Sequence, residues 1–323
     1  MKIALALLIC VSAALAAVDG TVFNATTGKP QAGVTVNLVQ PGAGGMQQLA
    51  TIKSDAEGKF NIDKSFPPGP ALIQADYQGA TYTLILPPGG PTNGVRVNIY
   101  NATTDPAAAK VDQRMLVIEP SAAALNVTET LLLKNETNTT FQDAAKGSAQ
   151  VYLPGPSEGK ARVTINPPEG MPLQRPAEKT AQANVYKINY PVRPGETRID
   201  VTYSLPPSDT FSSELIHPGE TTRIVTPPTV TLEGAGIESL GQEPQTQAHI
   251  YNVASNKFEV KIAGIGSLRD SGVGGGADAD DDNGSPKVEV APARLYTRLG
   301  WVLGLTFGIL AFGGLLLYRR EVA

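Results

Sequence analysis

The chain has 323 residues, of which 41% are hydrophobic and 17% charged, and it contains 33 Gly and 26 Pro. This excess of Gly and Pro favours short strands joined by turns over long helices. The 26 Lys and Arg residues against 30 Asp and Glu residues give a net charge of −4, so we expect no nucleic-acid partner. One Cys and two His exclude a Cys-rich zinc site, a disulfide scaffold and a Cys redox centre, and we expect no cofactor.

The N-terminus has the pattern of a secretory signal. Lys2 precedes an apolar stretch over residues 3–11, and Ala14 and Ala16 form an A-x-A cleavage site. We predict that residues 1–16 are a signal peptide. The alternative is a retained anchor, but the apolar run ends by Ala17 and is short of the roughly 20 residues that span a bilayer.

Residues 18–100 alternate short apolar runs with turn residues, which is typical of a β-sandwich. The turn at 55–58 begins with Asp55 and ends with Gly58, as in a type I turn, and we expect it to close a hairpin. Seven strands are predicted, at residues 20–23, 34–38, 47–53, 60–62, 71–77, 81–86 and 95–99.

Several motifs in this region occur in an order known from one family. They are Asp19-Gly20-Thr21-Val22, Thr27-Gly28-Lys29-Pro30, Ala32-Gly33-Val34-Thr35-Val36, Ser54-Asp55-Ala56-Glu57-Gly58-Lys59-Phe60 and residues 69–77. With these motifs, residues 18–100 resemble the carboxypeptidase regulatory-like domain. The resemblance implies a transthyretin-like, seven-stranded sandwich within a carbohydrate-binding-like fold group. In carboxypeptidases the module accompanies a separate zinc enzyme domain, which does not follow here, so the resemblance implies no catalytic residue.

Residues 101–111 show no period and are predicted to be a linker. Residues 112–265 again show strand patterns, and these are separated by prolines. Proline has no backbone N–H, but between strands it interrupts no hydrogen bonds of a sheet. We predict a second, larger antiparallel sandwich here, and thus an all-β fold with two sandwich domains in tandem. Its predicted strands include residues 115–118, 125–133, 149–153, 161–165, 185–190, 199–203 and 258–262.

The C-terminal part predicts a stalk and a membrane anchor. Residues 266–293 are rich in Gly, Asp and Pro and have no apolar period. Residues 299–318 carry no charge and are long enough to cross a bilayer, which predicts a transmembrane helix over 297–318. A buried core helix is the alternative, although soluble helices carry a polar stripe. With a cleaved signal, the body is extracytoplasmic, the helix contacts the lipid bilayer, and residues 319–323 form a cytoplasmic tail.

Small residues share one face of this predicted membrane helix. Gly300, Gly304 and Gly308 stand at i, i+4 and i+8. This spacing allows two helices to pack closely, as in GxxxG dimers, and predicts a helix–helix contact. Glycine is also common in membrane helices without such a role.

An acidic cluster in the stalk is a weak calcium candidate. Asp278, Asp280, Asp282 and Glu289 match positions 1, 3, 5 and 12 of a calcium loop. However, Asn283 replaces the expected glycine at position 6. A solvated acidic linker is the favoured interpretation, and we expect no metal site.

The two histidines do not indicate an enzyme. His217 and His249 lie in the second body, but the sequence has no G-x-S-x-G elbow and no H-E-x-x-H helix. We expect both to be exposed turn residues, His217 especially, since Pro218 and Gly219 follow it. A hydrolase is therefore the least favoured function, and we expect no catalytic residue.

Carbohydrate binding is the alternative function. It needs aromatic platforms, yet the only Trp, Trp301, lies in the membrane segment. Five other rings are the candidate platforms, although such rings more often fill a sandwich core. They are Phe66, Tyr77, Tyr82, Tyr100 and Tyr152.

Six N-x-S/T sequons allow an N-glycosylated ectodomain, but a body without cysteine favours a bacterial envelope. The sequons begin at Asn24, Asn101, Asn126, Asn135, Asn138 and Asn283. The sequence thus predicts a single-pass protein of the cell membrane that serves as a structural or interaction module. Its expected partner is an envelope protein, with a glycan as the alternative.

Overall fold

A computed structural model describes residues 18–268 except 43–44, 65, 68 and 218–220. These residues fold into 24 strands and two short 3-10 turns, Pro106–Ala108 and Gly155–Ser157, without an α-helix. The prediction of an all-β fold built from antiparallel sheets is confirmed for this part of the chain. Within the same residues no helix is long and apolar enough to cross a membrane. The predicted signal peptide, 1–16, and transmembrane helix, 297–318, lie outside the described residues.

The N-terminal part forms two sheets. The first pairs β1 (Val18–Asn24) with β2 (Lys29–Pro30), β5 (Lys59–Ile62) and β8 (Val95–Ile99). The second has the order β4-β3-β6-β7, with β3 (Thr35–Gly42), β4 (Gly45–Lys53), β6 (Ala71–Tyr77) and β7 (Ala80–Leu86). All pairs are antiparallel except β1 with β8, which is parallel. The seven predicted strands match β1 and β3–β8, with small differences at their ends.

One hydrophobic core joins these two sheets. Val22 and Ile99 contribute from the first sheet, and Leu38 and Ile73 from the second. Alternate residues of β1 are buried, as the period of a strand with one covered face requires. Burying each such side chain contributes about 1.5–3 kcal/mol, so packing between the sheets is the main force that holds them together.

The turn at 55–58 forms as predicted, but it does not close a hairpin. Gly58 N–H donates to the Asp55 carbonyl at 3.0 Å, and Asp55 Oδ1 accepts from Lys59 N–H at 2.7 Å. Gly58 has a φ of 74°, which favours glycine. Because β4 pairs with β3 and β5 pairs with β1, the turn carries the chain from one sheet to the other. Local turn chemistry specified the bend and not the strand partners.

The second part is built around an eight-stranded sheet. Its order is β15-β14-β18-β11-β10-β20-β23-β22, and β10 with β20 is its one parallel pair among the described residues. The strands are β10 (Lys110–Pro120), β11 (Leu125–Asn135), β14 (Arg162–Asn166), β15 (Leu173–Arg175), β18 (Gly195–Leu205), β20 (Thr221–Thr226), β22 (Ile237–Gln242) and β23 (His249–Val253).

Two three-stranded sheets share a core with the large sheet. One has the order β13-β17-β16, with β13 (Ala149–Tyr152), β16 (Glu178–Lys179) and β17 (Val185–Ile188). The other has the order β19-β24-β21, with β19 (Thr210–Glu214), β21 (Thr231–Glu233) and β24 (Lys257–Ala263). Leu131 of β11, Val151 of β13 and Val260 of β24 lie in the common core. Strict alternation of exposed and buried residues in β24 places every second side chain there.

The segment 101–111, expected to be a linker, is ordered and paired. It contains β9 (Ala102–Thr103), one 3-10 turn and the first residues of β10. β9 pairs in parallel with β12 (Thr140–Phe141), and Tyr82 OH lies 2.8 Å from Thr140 Oγ1. The alternation of apolar and polar residues did not reveal this segment, because its contacts are hydrogen bonds to residues distant in sequence. The described residues accordingly belong to one compact unit.

Candidate functional site

A cleft runs between the N-terminal sheets and two loops of the second part. One loop, residues 167–172, joins β14 to β15, and the other, residues 189–194, joins β17 to β18. The cleft holds two adjoining cavities of about 380 and 150 Å³. Both are lined by Thr83, Glu169 and Arg193, so these residues mark the point where the cavities meet.

A hairpin places β7 along this cleft. Gln78 and Gly79 connect β6 to β7 and have φ values of 47° and 82°. Positive φ at both central residues is the signature of a type I′ turn, whose twist matches that of two antiparallel strands. The turn fixes the register with Tyr77 opposite Ala80, which sets Thr81 and Thr83 into the larger cavity.

Arg193 is the buried cation of the cleft. The preceding residue, Val192, exchanges two backbone hydrogen bonds with Phe141, at 2.9 and 3.0 Å, and this pairing fixes the loop. Arg193 Nη2 donates to the Glu169 carbonyl at 2.6 Å and to Tyr190 OH at 3.2 Å. Arg193 is only 7% exposed.

No carboxylate of the described residues lies within 4 Å of the Arg193 guanidinium. Its Nε and Nη1 atoms make no hydrogen bond there and are not sealed from solvent. Buried charges in proteins are normally paired, because an uncompensated ion loses its hydration. The cleft thus has an unused capacity to bind an anion.

Arg96 adds a second positive charge at the smaller cavity. It lies exposed on β8, its guanidinium stacks 3.6 Å from the centre of the Phe23 ring, and Nε donates to Asn98 Oδ1 at 2.9 Å. Tyr82 and Tyr100 line the same cavity, with ring centroids 5.9 Å apart. Burial raises the pKa of both tyrosines, and the nearby Arg193 charge acts in the opposite sense. The tyrosines are therefore neutral hydrogen-bonding groups at physiological pH.

A buried ion pair lies elsewhere, inside the second core. Arg114 on β10 contacts Glu129 on β11, and both side chains are fully buried. The two positions are diagonal neighbours, since Arg114 stands opposite Leu131. Burial raises the pKa of Glu129, while Arg114 lowers it. Burial and the nearby Glu129 carboxylate also raise the pKa of Tyr203 well above its usual value.

The prediction of exposed turn histidines was wrong. His217 is half-buried and its Nε2 lies 3.0 Å from both the backbone N and O of Gln150. Burial lowers the pKa of His217, and the Arg114 charge acts in the same direction. His249 begins strand β23 and lies 3.3 Å from the Pro228 carbonyl. Proline and glycine after His217 favour a turn, but the sequence could not show that the backbone of Gln150, in a distant strand, bonds to the ring.

Most other predicted site residues lie outside the described residues. These are the calcium candidates Asp278, Asp280, Asp282 and Glu289, the cleavage residues Ala14 and Ala16, and the helix-packing residues Gly300, Gly304 and Gly308. Within the described part of the chain no three His, Cys, Asp or Glu side chains are grouped to hold a metal.

Two of the sequon asparagines are buried. Asn24 donates to Asn101 Oδ1 at 2.8 Å, and Asn135 donates to the Val192 carbonyl at 3.0 Å. Their amides are used to hold loops together. These two sequons therefore have a structural explanation that involves no glycan.

Sequence reasoning missed the cleft itself. Arg193 lies between Val192 and Pro194, and neither a periodic apolar pattern nor a motif surrounds it. Its burial depends on loops that are distant in sequence. Of the five candidate sugar platforms, Tyr82 lies in the N-terminal core, and Phe66, Tyr77 and Tyr100 pack against it.

Comparison with known proteins assigns no family. No family model and no curated protein matches the sequence. Partial likeness is found to a solved M1 zinc metallopeptidase from Deinococcus radiodurans, at 13% identity and a TM-score of 0.26, and to a mutant of that enzyme bound to a Tyr-Ser-Ala substrate, at 12% and 0.25. Each match covers 48% of this chain and 42% of the other. The resemblance to the carboxypeptidase regulatory-like domain stays a prediction.

Proposed function

We propose that this protein is a membrane-anchored interaction module of the cell envelope, without catalytic activity. In this proposal two β-sandwich domains, 18–100 and 112–265, stand outside the cytoplasmic membrane on the stalk 266–293. The helix 297–318 contacts the bilayer and residues 319–323 lie in the cytoplasm. The cleft between the two bodies is the surface that contacts a partner protein.

The observation that carries this proposal is the environment of Arg193. Arg193 is 7% exposed as a residue, and no carboxylate of the described residues lies within 4 Å of its guanidinium, so it retains binding capacity for a negative group. A buried charge without a neighbouring acid is costly, because its lost hydration is not compensated by an opposite charge. Because Arg193 faces a cavity, a partner can supply that acid.

The histidine contacts support a role without catalysis. His217 bonds to the backbone of Gln150, and His249 lies within hydrogen-bond distance of the Pro228 carbonyl and of the Gln242 side-chain amide. A hydrolytic site needs a histidine within reach of a nucleophile and oriented by an acid. Among the described residues, neither histidine contacts such a nucleophile and acid.

Carbohydrate binding is the second proposal, since two half-buried tyrosines, Tyr100 and Tyr190, line the cleft. A tyrosine ring offers an apolar face for stacking and a hydroxyl that can hydrogen-bond. A glycan array probed with the full-length protein in detergent tests this. A saturable glycan that competes with the protein partner would replace the first proposal with the second.

Site-specific crosslinking in native membranes tests the interaction proposal. A photocrosslinking residue replaces Thr81, which is exposed on the edge strand β7 and lines the cleft. The matched control replaces Thr51, which is exposed on β4 at the opposite edge of the same sheet. The two sites are alike, since the Thr81 hydroxyl donates to Asp76 at 2.6 Å and the Thr51 hydroxyl donates to Asn37 at 2.8 Å. We expect a discrete protein adduct from position 81 and none from position 51. Equal labelling at both positions, or none at either, would contradict the proposal.

A further inference from the structure

We propose that the cleft binds an extended acidic peptide segment of a partner protein. The peptide adds as a strand to the free edge of β7 and places a carboxylate against Arg193. This inference rests on the proposed function and specifies the chemistry of the partner.

The free edge follows from the register of the hairpin. Tyr77 and Ala80 close a two-residue type I′ turn and form a hydrogen-bonded pair, so such pairs recur at every second residue of β7. Ala80, Tyr82 and Leu84 therefore direct their backbone groups to β6. Thr81, Thr83 and Ile85 direct theirs away from it. β7 is the last strand of its sheet, and no ladder partner occupies this edge among the described residues.

The position of Thr83 joins this edge to the buried cation. Thr83 lines both cavities together with Arg193, and Leu84 lines the smaller cavity. A peptide paired with β7 would thus pass Arg193, whose Nε and Nη1 are available. A charge-assisted bond from a guanidinium to a carboxylate is among the strongest hydrogen bonds in proteins.

The surroundings favour an acidic peptide with apolar residues. Arg96 and Arg175 also line the two cavities and add positive charge, while Glu169 lines both and adds one negative charge, so the cations outnumber the acids there. Met171, which is 50% exposed, lines the larger cavity, and Ile85 on β7 is 49% exposed. Strand addition obtains affinity from backbone hydrogen bonds and specificity from alternate side chains. An acidic oligosaccharide would satisfy Arg193 but would leave the strand edge unused.

The test uses the full-length protein in non-ionic detergent and a library of random octapeptides with free carboxyl ends. We expect enrichment of acidic peptides with alternating apolar residues. Arg193→Gln should weaken the enriched peptide roughly ten- to hundredfold, the range of a hydrogen bond to a charged group. Arg198→Gln, at an exposed arginine on the large sheet, is the matched control and should leave the affinity unchanged.

Modified peptides keep the protein intact and test strand addition separately. Methylation of alternate backbone nitrogens should abolish binding when it blocks the edge facing β7, and have little effect on the opposite edge. Amidation of the carboxyl end and replacement of peptide Asp by Asn distinguish a terminal carboxylate from a side-chain carboxylate, since only the one that contacts Arg193 should matter.

Three results would overturn the inference. The first is the absence of any enriched acidic peptide. The second is equal affinity for the peptides methylated on the one edge and on the other. The third is saturable binding of oligogalacturonate, an acidic oligosaccharide, in place of peptide. A protein adduct from position 81 combined with any of these would leave the proposed interaction function standing. The absence of both the adduct and peptide binding would overturn both proposals.

Discussion

The buried ion pair of Arg114 and Glu129 should be essential for the stability of the second core. Glu129→Gln preserves the size of the side chain and removes its charge. Arg114 then keeps its buried charge without this carboxylate. Because both side chains are fully buried, water cannot restore the lost interaction.

The size of the effect follows from this burial. Breaking a buried ion pair by removing one partner costs about 3–5 kcal/mol. For a body of this size the urea m-value is about 3 kcal/mol/M. A loss of about 4 kcal/mol therefore lowers the urea midpoint by roughly 1.3 M.

The assay is urea denaturation of the full-length protein in detergent, followed by far-UV circular dichroism. Glu136→Gln is the matched control, because Glu136 lies 3.1 Å from Lys134 in a pair whose side chains are 77% and 50% exposed. Exposed pairs contribute little, so this midpoint should stay within the error of the measurement. Equal midpoints for Glu129→Gln and the wild type would refute the assigned role of the buried pair.

Three further predictions concern the histidine, the contact between the two parts and the membrane anchor. Burial lowers the pKa of His217, so the folded state favours the neutral ring. The free energy of unfolding should therefore fall as the pH drops from about 6.5 through the lowered pKa. His217→Gln should reduce this pH dependence, measured by urea titrations at several pH values. Tyr82→Phe removes the hydrogen bonds to the Tyr100 carbonyl, at 2.9 Å, and to Thr140. It should lower the free energy of unfolding by about 1–3 kcal/mol in the same denaturation assay. An unchanged midpoint would show that these bonds add nothing to stability. Native membranes should retain the full-length protein in alkaline carbonate and release a variant truncated after residue 298; release of both would contradict the anchor.

Strand positions could be predicted wherever one face of a strand is covered. β24 alternates strictly between exposed and buried residues, and the sequence shows the same alternation of polar and apolar residues. The Asp55 turn was also predictable, because an aspartate side chain and a glycine define it locally. These features depend on residues that are close in sequence.

Strand partners and the cleft could not be predicted in this way. β20 pairs in parallel with β10 about a hundred residues earlier, and nothing local specifies that choice. Arg114 and Glu129 occupy core positions of β10 and β11, where charged residues conceal the apolar period. The burial of Arg193 arises only when the loops around it meet β7 and β8.

The most direct test of the central claim combines the crosslinking residue at position 81 with the Arg193→Gln substitution in native membranes. If Arg193 binds an acidic group of the partner, the adduct should fall at least about tenfold relative to the same crosslinker in the wild-type background. Arg96→Gln should produce a smaller decrease, because Arg96 is exposed to solvent. An adduct that persists at full yield in Arg193→Gln would contradict the claim that this buried cation holds the partner.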